Sequence, residues 1–165
     1  MFKFKIFSSF IEEEDALKGE YGYFLLKLGN ESYGEYREDI DLEILSMDIY
    51  DWFTNFINAI KLLRTKEQVY ISDVETPEVW IKLANLGLDN IEISELRAEK
   101  PDGSHAVESE IELVEKKILW TETIKLEEFT SNLNTQVDIY LSELKLLNSS
   151  NNKYVKKLDK LVSEI

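Results

Sequence analysis

The chain has 165 residues and carries 33 acidic side chains against 19 basic ones, which gives a formal net charge of −14. This length suits one folded domain, and an apolar share of 44% provides for a hydrophobic core, so a wholly disordered chain is excluded. The absence of cysteine excludes disulfides, thiolate metal sites and thiol catalysis. The acidic charge disfavours nucleic acid and anionic membranes as direct partners.

The sequence shows no segment for export or membrane insertion. No apolar run approaches the ~20 residues that cross a bilayer, and the acidic residues 12–15 follow soon after the start of the chain. The start contains no apolar stretch of secretory-signal length. We therefore expect a cytoplasmic protein.

Alternation of apolar and polar residues predicts three strands in the first quarter of the chain. Residues 2–6 alternate with period two, and residues 21–28 are rich in aromatic and branched side chains. Gly29 and Asn30 suit the hairpin turn that follows, because both tolerate positive φ. Residues 40–44 alternate again, which predicts a third strand paired with the second.

A change of period then predicts a helix, followed by further strands and two more helices. Apolar residues from Ile49 to Leu63 fall at helical spacing, and Ser46 or Asp48 can cap the helix. The segments predicted as strands are residues 69–71, 79–84, 91–96, 111–113 and 118–120. The segments predicted as further helices are residues 126–147 and 154–165.

The order of these elements predicts a single α+β domain over residues 1–165. We expect a mostly antiparallel sheet of about six to seven strands, with two long helices packed on one face. Residues 148–165 form a C-terminal helical extension. Its apolar stripe could mediate dimerisation or could pack on the parent domain, and the oligomeric state is left open.

The negative charge is concentrated in the segments predicted as strands and loops. Residues 67–124 hold 14 acidic and 5 basic side chains, and residues 1–45 hold 11 and 5. Strand alternation directs these carboxylates away from the apolar face. We therefore predict an open acidic sheet face that binds a partner. Its residues are Asp39, Asp41, Glu43, Glu92, Glu108, Glu110 and Glu112.

A second interpretation treats the same carboxylates as an ordinary solvated sheet face. In that case some of them pair across strands with lysines, for which Lys3, Lys5, Lys82, Lys116 and Lys117 are candidates. The excess of like charge on neighbouring strands destabilises a sheet, and this cost favours the functional interpretation.

No pattern of residues predicts catalysis, a cofactor or a metal. The single histidine, His105, lies beside a Pro-Asp-Gly loop with no motif around it. Nucleotide-binding and nucleophile-elbow motifs are absent. Asp39 and Asp41 have the alternation that brings two carboxylates together, but no calcium-loop pattern surrounds them. We expect no catalytic, cofactor-binding or metal-binding residue.

Two classes of function remain. The first is an inhibitor whose acidic face covers a basic protein, such as a toxin or another nuclease-like enzyme, because charge complementarity selects the partner and speeds association. The second is a small-ligand-binding or enzymatic α+β domain that uses carboxylates at one end of the sheet.

The order of elements resembles the small acidic immunity proteins of bacterial polymorphic and contact-dependent toxin systems, in particular those that guard against wall-associated toxins. The resemblance lies in strand segments 2–7, 23–28 and 40–44, the last leading into an aromatic helix, and in residues 120–129. It covers residues 1–148 and implies neutralisation of a cognate toxin without catalysis. A related possibility is a viral anti-defence protein that mimics nucleic-acid charge.

Overall fold

A computed structural model describes residues 1–7, 16–76, 78–111 and 117–164. Within them the chain forms three helices and nine strands. The helices are α1 (Ile49–Leu63), α2 (Leu126–Leu147) and α3 (Lys153–Val162). The strands are β1 (Phe2–Ile6), β2 (Tyr21–Leu28), β3 (Glu31–Gly34), β4 (Met47–Asp48), β5 (Gln68–Ser72), β6 (Val79–Gly87), β7 (Asn90–Arg97), β8 (Val107–Glu108) and β9 (Lys117–Lys125).

The strands form two antiparallel sheets, which corrects the prediction of a single sheet. The first sheet has the order β1-β2-β3, with β4 also paired to β2, and the second has the order β8-β5-β6-β7-β9. The α+β class and the antiparallel pairing are confirmed. The number of sheets was wrong because alternation identifies strands and does not identify which strands pair.

The chain divides into two compact units. Unit 1 consists of Met1–Lys27, Ser32–Thr54 and Ser131–Ile165, and unit 2 consists of Leu28–Glu31 and Asn55–Thr130. Unit 1 contains most of the first sheet and unit 2 contains the second sheet, and both α1 and α2 contribute residues to both units.

The core of unit 1 is an aromatic cluster between the first sheet and the two long helices. Phe53 of α1 packs edge-on against Phe24 of β2 at 5.3 Å between ring centroids. It also contacts Phe4 of β1 and Tyr140 of α2. These contacts require the apolar stripe that the sequence predicts for each helix. The start of α1 is also as predicted, because the carboxylate of Asp48 accepts a hydrogen bond from the Asp51 N–H at 2.8 Å.

Helix α3 packs its apolar face within unit 1. Val155 and Leu158 are buried, and the Asn152 side chain caps the helix by accepting hydrogen bonds from two backbone N–H groups. The hydroxyl of Tyr50 donates to the carbonyl of Tyr154 at 3.2 Å. The apolar stripe therefore packs on the parent chain, one of the two arrangements that the sequence allows. None of the described helices combines the length and apolarity of a membrane span.

In unit 2, one face of the sheet carries a buried apolar patch. The neighbouring residues Ile71 and Ile81 are fully buried, as are Leu83 and Ile93. The Phe56 ring of α1 contacts the Phe129 ring of α2 at 6.0 Å, and both rings are fully buried. The alternation that predicts strands β5, β6 and β7 is therefore confirmed.

Side chains cover part of the opposite face of this sheet, which corrects the prediction of an open acidic sheet face. Trp80 is fully buried there beside Tyr70, and its indole N–H donates to the carbonyl of Ala98 at 3.2 Å. Ile111 packs against the same cluster. The chain beyond β7 therefore covers part of the face that was expected to be open. A strand was predicted at residues 111–113. Ile111 lies in irregular structure, and residues 112 and 113 lie outside the described residues.

Replacing Phe56 by Ala is expected to reduce the free energy of unfolding by about 3–5 kcal/mol, because a fully buried ring leaves a cavity. Urea unfolding followed by circular dichroism measures this loss. Leu146, which is 87% exposed on α2, provides the control, since Leu146→Ala is expected to stay within about 0.5 kcal/mol of wild type. Equal losses in the two variants would contradict the assignment of the core.

Stability is expected to fall as the pH rises from 10 to 12, partly through Tyr50. Burial, followed by the charge of Asp51, raises the pKa of Tyr50 to about 12 from its usual 10. A group with a raised pKa binds its proton more tightly in the folded state, so its contribution is complete below pH 10 and is lost by about pH 12. The midpoint of urea unfolding should therefore fall less between pH 9 and pH 11 in Tyr50→Phe than in wild type.

Candidate functional site

The clearest candidate site is a loop that leaves the edge of β2 and returns to it. We call residues 36–46 the acidic loop. On one side the Glu35 N–H donates to the carbonyl of Phe24 at 3.0 Å, and on the other side Met47 pairs with Gly22. The two ends of the acidic loop therefore meet β2 only two residues apart. Compact loops with closely spaced ends are frequently functional.

Gly34 allows the chain to turn away from β2 before the acidic loop begins. Gly34 has φ of +85°, and a Cβ atom there would lie 2.1 Å from the carbonyl oxygen of Phe24. A side chain is excluded both by this contact and by the backbone conformation. The chain can therefore turn away from the sheet at this residue without losing the hydrogen bond that precedes the loop.

Tyr23, the residue between these two attachment points, holds the middle of the acidic loop. Its side chain is fully buried, and its ring packs edge-on against Phe7 at 4.6 Å. The hydroxyl donates to the carbonyl of Ile40 and accepts from the N–H of Leu42, both at 2.9 Å. Because a buried hydroxyl without partners is costly, the core itself favours this loop conformation.

Lysines of β1 hold the outer side of the acidic loop. Lys5 lies opposite Tyr23 in the β1–β2 register. Its ammonium donates to the carbonyl of Glu38 at 2.9 Å and pairs with the carboxylate of Asp41 at 2.6 Å. The hydrogen bond to Asp41 raises the pKa of Lys5. Lys3 places its ammonium 5.4 Å from the centroid of the Tyr36 ring.

The C-terminal end of the loop is a single 3₁₀ turn, Glu43–Leu45. The N–H of Leu45 donates to the carbonyl of Leu42 at 2.9 Å. The hydroxyl of Ser46 donates to the carbonyl of Glu43 at 2.7 Å. Hydrogen bonds therefore fix the loop at its start, its middle and its end.

The third predicted strand was wrong, because residues 40–44 lie in this loop. Ile40 and Ile44 are 51% and 91% exposed instead of facing a core. The edge of β2 is already occupied by the residues on either side of the loop, so no ladder position remains for residues 40–44. The carboxylates of Asp39, Asp41 and Glu43 lie with the two isoleucines on this exposed segment.

The other predicted site residues belong to unit 2, and the described ones have local partners. Glu92 pairs with Lys82 across the strands at 3.7 Å, and Glu108 accepts a hydrogen bond from the N–H of His105 at 2.7 Å. Glu110 pairs with Lys66, whose ammonium lowers the pKa of Glu110. Glu112 lies outside the described residues. The structure thus gathers three of the seven predicted residues on one loop.

The acidic loop presents carboxylates beside exposed branched side chains. Within the described ranges, no three His, Asp or Glu side chains are arranged to hold a metal ion. Carboxylates beside exposed branched side chains on a fixed backbone can form ion pairs and apolar contacts with a protein partner.

Sequence reasoning missed two features of this site. It assigned Ile40 and Ile44 to a core, and it treated Tyr23 as an ordinary strand residue. No signal in the sequence links Tyr23 to Ile40 and Leu42, since that contact depends on the pairing of β2 with its neighbours. Lys5 was considered as a partner for carboxylates, and its ion pair with Asp41 bears this out.

Comparison of the chain with protein-family models, with curated proteins and with solved structures found no match.

Replacing Tyr23 by Phe is expected to release the acidic loop while keeping the buried ring. Two hydrogen bonds to the loop are lost, so the free energy of unfolding should fall by about 1–3 kcal/mol. Amide hydrogen exchange at Leu42 should become faster, because its acceptor is removed.

Tyr36→Phe is the matched control, because among the described residues the Tyr36 hydroxyl forms no hydrogen bond. This variant is expected to leave both stability and exchange at Leu42 unchanged. If Tyr23→Phe exchanges at the wild-type rate at Leu42, the hydroxyl does not hold the loop.

Proposed function

We propose that this protein is a binding module that captures a cationic protein through the acidic loop, without catalysis. The observation that carries the proposal is the 91% exposure of Ile44 on a hydrogen-bonded turn beside carboxylates. A rigid loop loses little conformational entropy on binding, so its contacts contribute more fully to affinity.

The two kinds of exposed side chain have different roles in this proposal. The carboxylates of Asp39 and Glu43 attract and orient a positively charged surface, which affects association rate and partner choice. Ile40 and Ile44 provide the apolar contacts that lose water on binding, and such contacts at the centre of an interface supply much of the affinity. The partner therefore combines lysine or arginine side chains with an apolar depression.

Neutralisation of a cognate basic toxin is the biological role that we propose for this binding. The acidic charge of −14 and the resemblance to bacterial immunity proteins support it. In this role the chain acts in the cytoplasm of the toxin-producing bacterium. A viral inhibitor that mimics nucleic-acid charge uses the same chemistry, and the identity of the captured protein distinguishes the two.

Reversing the charge of the loop at Asp39 and Glu43 to Lys is expected to slow association with the cationic partner at least roughly tenfold, because steering by opposite charges raises association rates by this order or more. The partner is first isolated with wild-type protein as bait and identified. Its association rate is then measured by surface plasmon resonance over a range of salt concentrations.

The control variant makes the same change in net charge at two residues outside the acidic loop. Glu127 and Glu128 are exposed in the first turn of α2, and their replacement by Lys should retain most of the wild-type rate. Ile44→Ala should raise the dissociation rate instead. If the loop and helix variants lose binding equally, net charge and not the loop directs the interaction.

A further inference from the structure

We infer that the Asp41 carboxylate and the Glu38 carbonyl form a site for a primary ammonium group, which Lys5 fills in the free protein and a lysine of the partner fills in the complex. Occupation by the partner rests on the function proposed above. The Lys5 ammonium pairs with the Asp41 carboxylate at 2.6 Å and donates to the Glu38 carbonyl at 2.9 Å. A charged and a neutral acceptor therefore converge on one ammonium group, which has three N–H donors.

Other residues hold this site in place. The Tyr23 hydroxyl donates to the carbonyl of Ile40 and accepts from the N–H of Leu42, the residues on either side of Asp41. Tyr23 is fully buried, so core packing fixes the position of its hydroxyl. The backbone of Asp41 is therefore held by groups other than Lys5, and a different ammonium group meets a carboxylate that is already positioned.

The ion pair that fills the site is open to exchange. The side chains of Lys5 and Asp41 are each 30% exposed. Exposed ion pairs contribute little net stability, because water solvates both charges when they separate. Release of Lys5 therefore has a low cost, whereas an ammonium group delivered inside an interface is attracted more strongly once water is excluded.

Occupation by Lys5 makes the site selective. Because Lys5 is tethered beside the carboxylate, its effective concentration there exceeds that of a dilute free amine. An incoming lysine replaces it only when other contacts deliver that lysine, and the exposed Ile40 and Ile44 on the same loop provide such contacts. The partner is therefore a protein that carries a lysine beside an apolar depression. A cationic polymer without the depression does not displace Lys5.

Chemical complementation tests the site without the partner. Lys5→Ala removes the ammonium group and the three carbons next to it, and n-propylammonium has the same length and charge. This variant is titrated with propylammonium chloride at constant ionic strength and followed by amide NMR, with saturable shifts expected at residues 38–42. In Lys5→Ala/Asp41→Asn the affinity should fall at least roughly fivefold, because the site loses its charged acceptor.

Two controls separate this site from general attraction to an acidic chain. Tetramethylammonium has the same charge without N–H donors, so it should give no saturable shift in Lys5→Ala. Among the described residues the Lys145 ammonium pairs with Asp159 and with no backbone carbonyl, so propylammonium should bind Lys145→Ala at least roughly fivefold more weakly. Equal affinities in the two variants, or a linear response in Lys5→Ala, would overturn the inference. If Lys5→Ala loses its dispersed NMR spectrum, Lys5→Val with ethylammonium repeats the titration, because valine suits a strand and keeps the γ carbon.

Exchange with the partner is measured by comparing Lys5→Ala with Lys27→Ala, which removes the same charge from an exposed residue of β2. Lys5→Ala should bind the captured protein at least roughly threefold more tightly than Lys27→Ala, and saturating propylammonium should abolish this gain. Equal affinities would refute the exchange and leave capture by the acidic loop intact. If wild-type protein captures no cationic protein, the proposed function fails together with the exchange, and the titration still decides whether the ammonium site exists.

Discussion

The candidate interface depends on the buried hydroxyl group of Tyr23. This residue lies between Gly22 and Phe24, the two residues of β2 at which the acidic loop is attached. Its ring belongs to the core, so the position of the hydroxyl is set by packing and not by the loop. A buried hydroxyl requires hydrogen-bond partners, and the backbone of the loop supplies both. The core of unit 1 thereby determines the conformation of an exposed surface.

The exposed isoleucines and the clustered carboxylates of the acidic loop do not stabilise the fold. Apolar side chains on the surface gain nothing from burial, and like charges repel each other. In unit 2 the excess charge is moderated locally, as the pairing of Glu92 with Lys82 shows. On the acidic loop, Lys5 pairs with Asp41, and the side chains of Asp39, Ile40 and Ile44 are exposed to solvent. The exposure of apolar side chains beside acidic ones is the physical reason for our proposal that the loop recognises a partner.

The sequence was sufficient to predict features that depend on local periodicity. The stripes of α1 and α2, the Asp48 cap and most strands follow from spacing that neighbouring residues determine. The failures concern long-range choices. Residues 40–44 alternate as a strand does, but the edge of β2 was already occupied, and the Tyr23 hydroxyl offered an alternative partner. Periodicity also could not show that the cluster around Trp80 would cover part of the opposite face of the second sheet.

Unit 1 uses buried or bridging side chains to hold backbone that carries exposed groups. Tyr23 holds the acidic loop, and Asn148 holds residue 18 against the turn between α2 and α3. On the acidic loop, the side chain that fixes the backbone differs from the exposed side chains that we propose contact a partner. We therefore expect changes at Ile44 to alter binding with little effect on the fold, whereas changes at Tyr23 affect both. This separation lets the binding surface vary while the scaffold is kept.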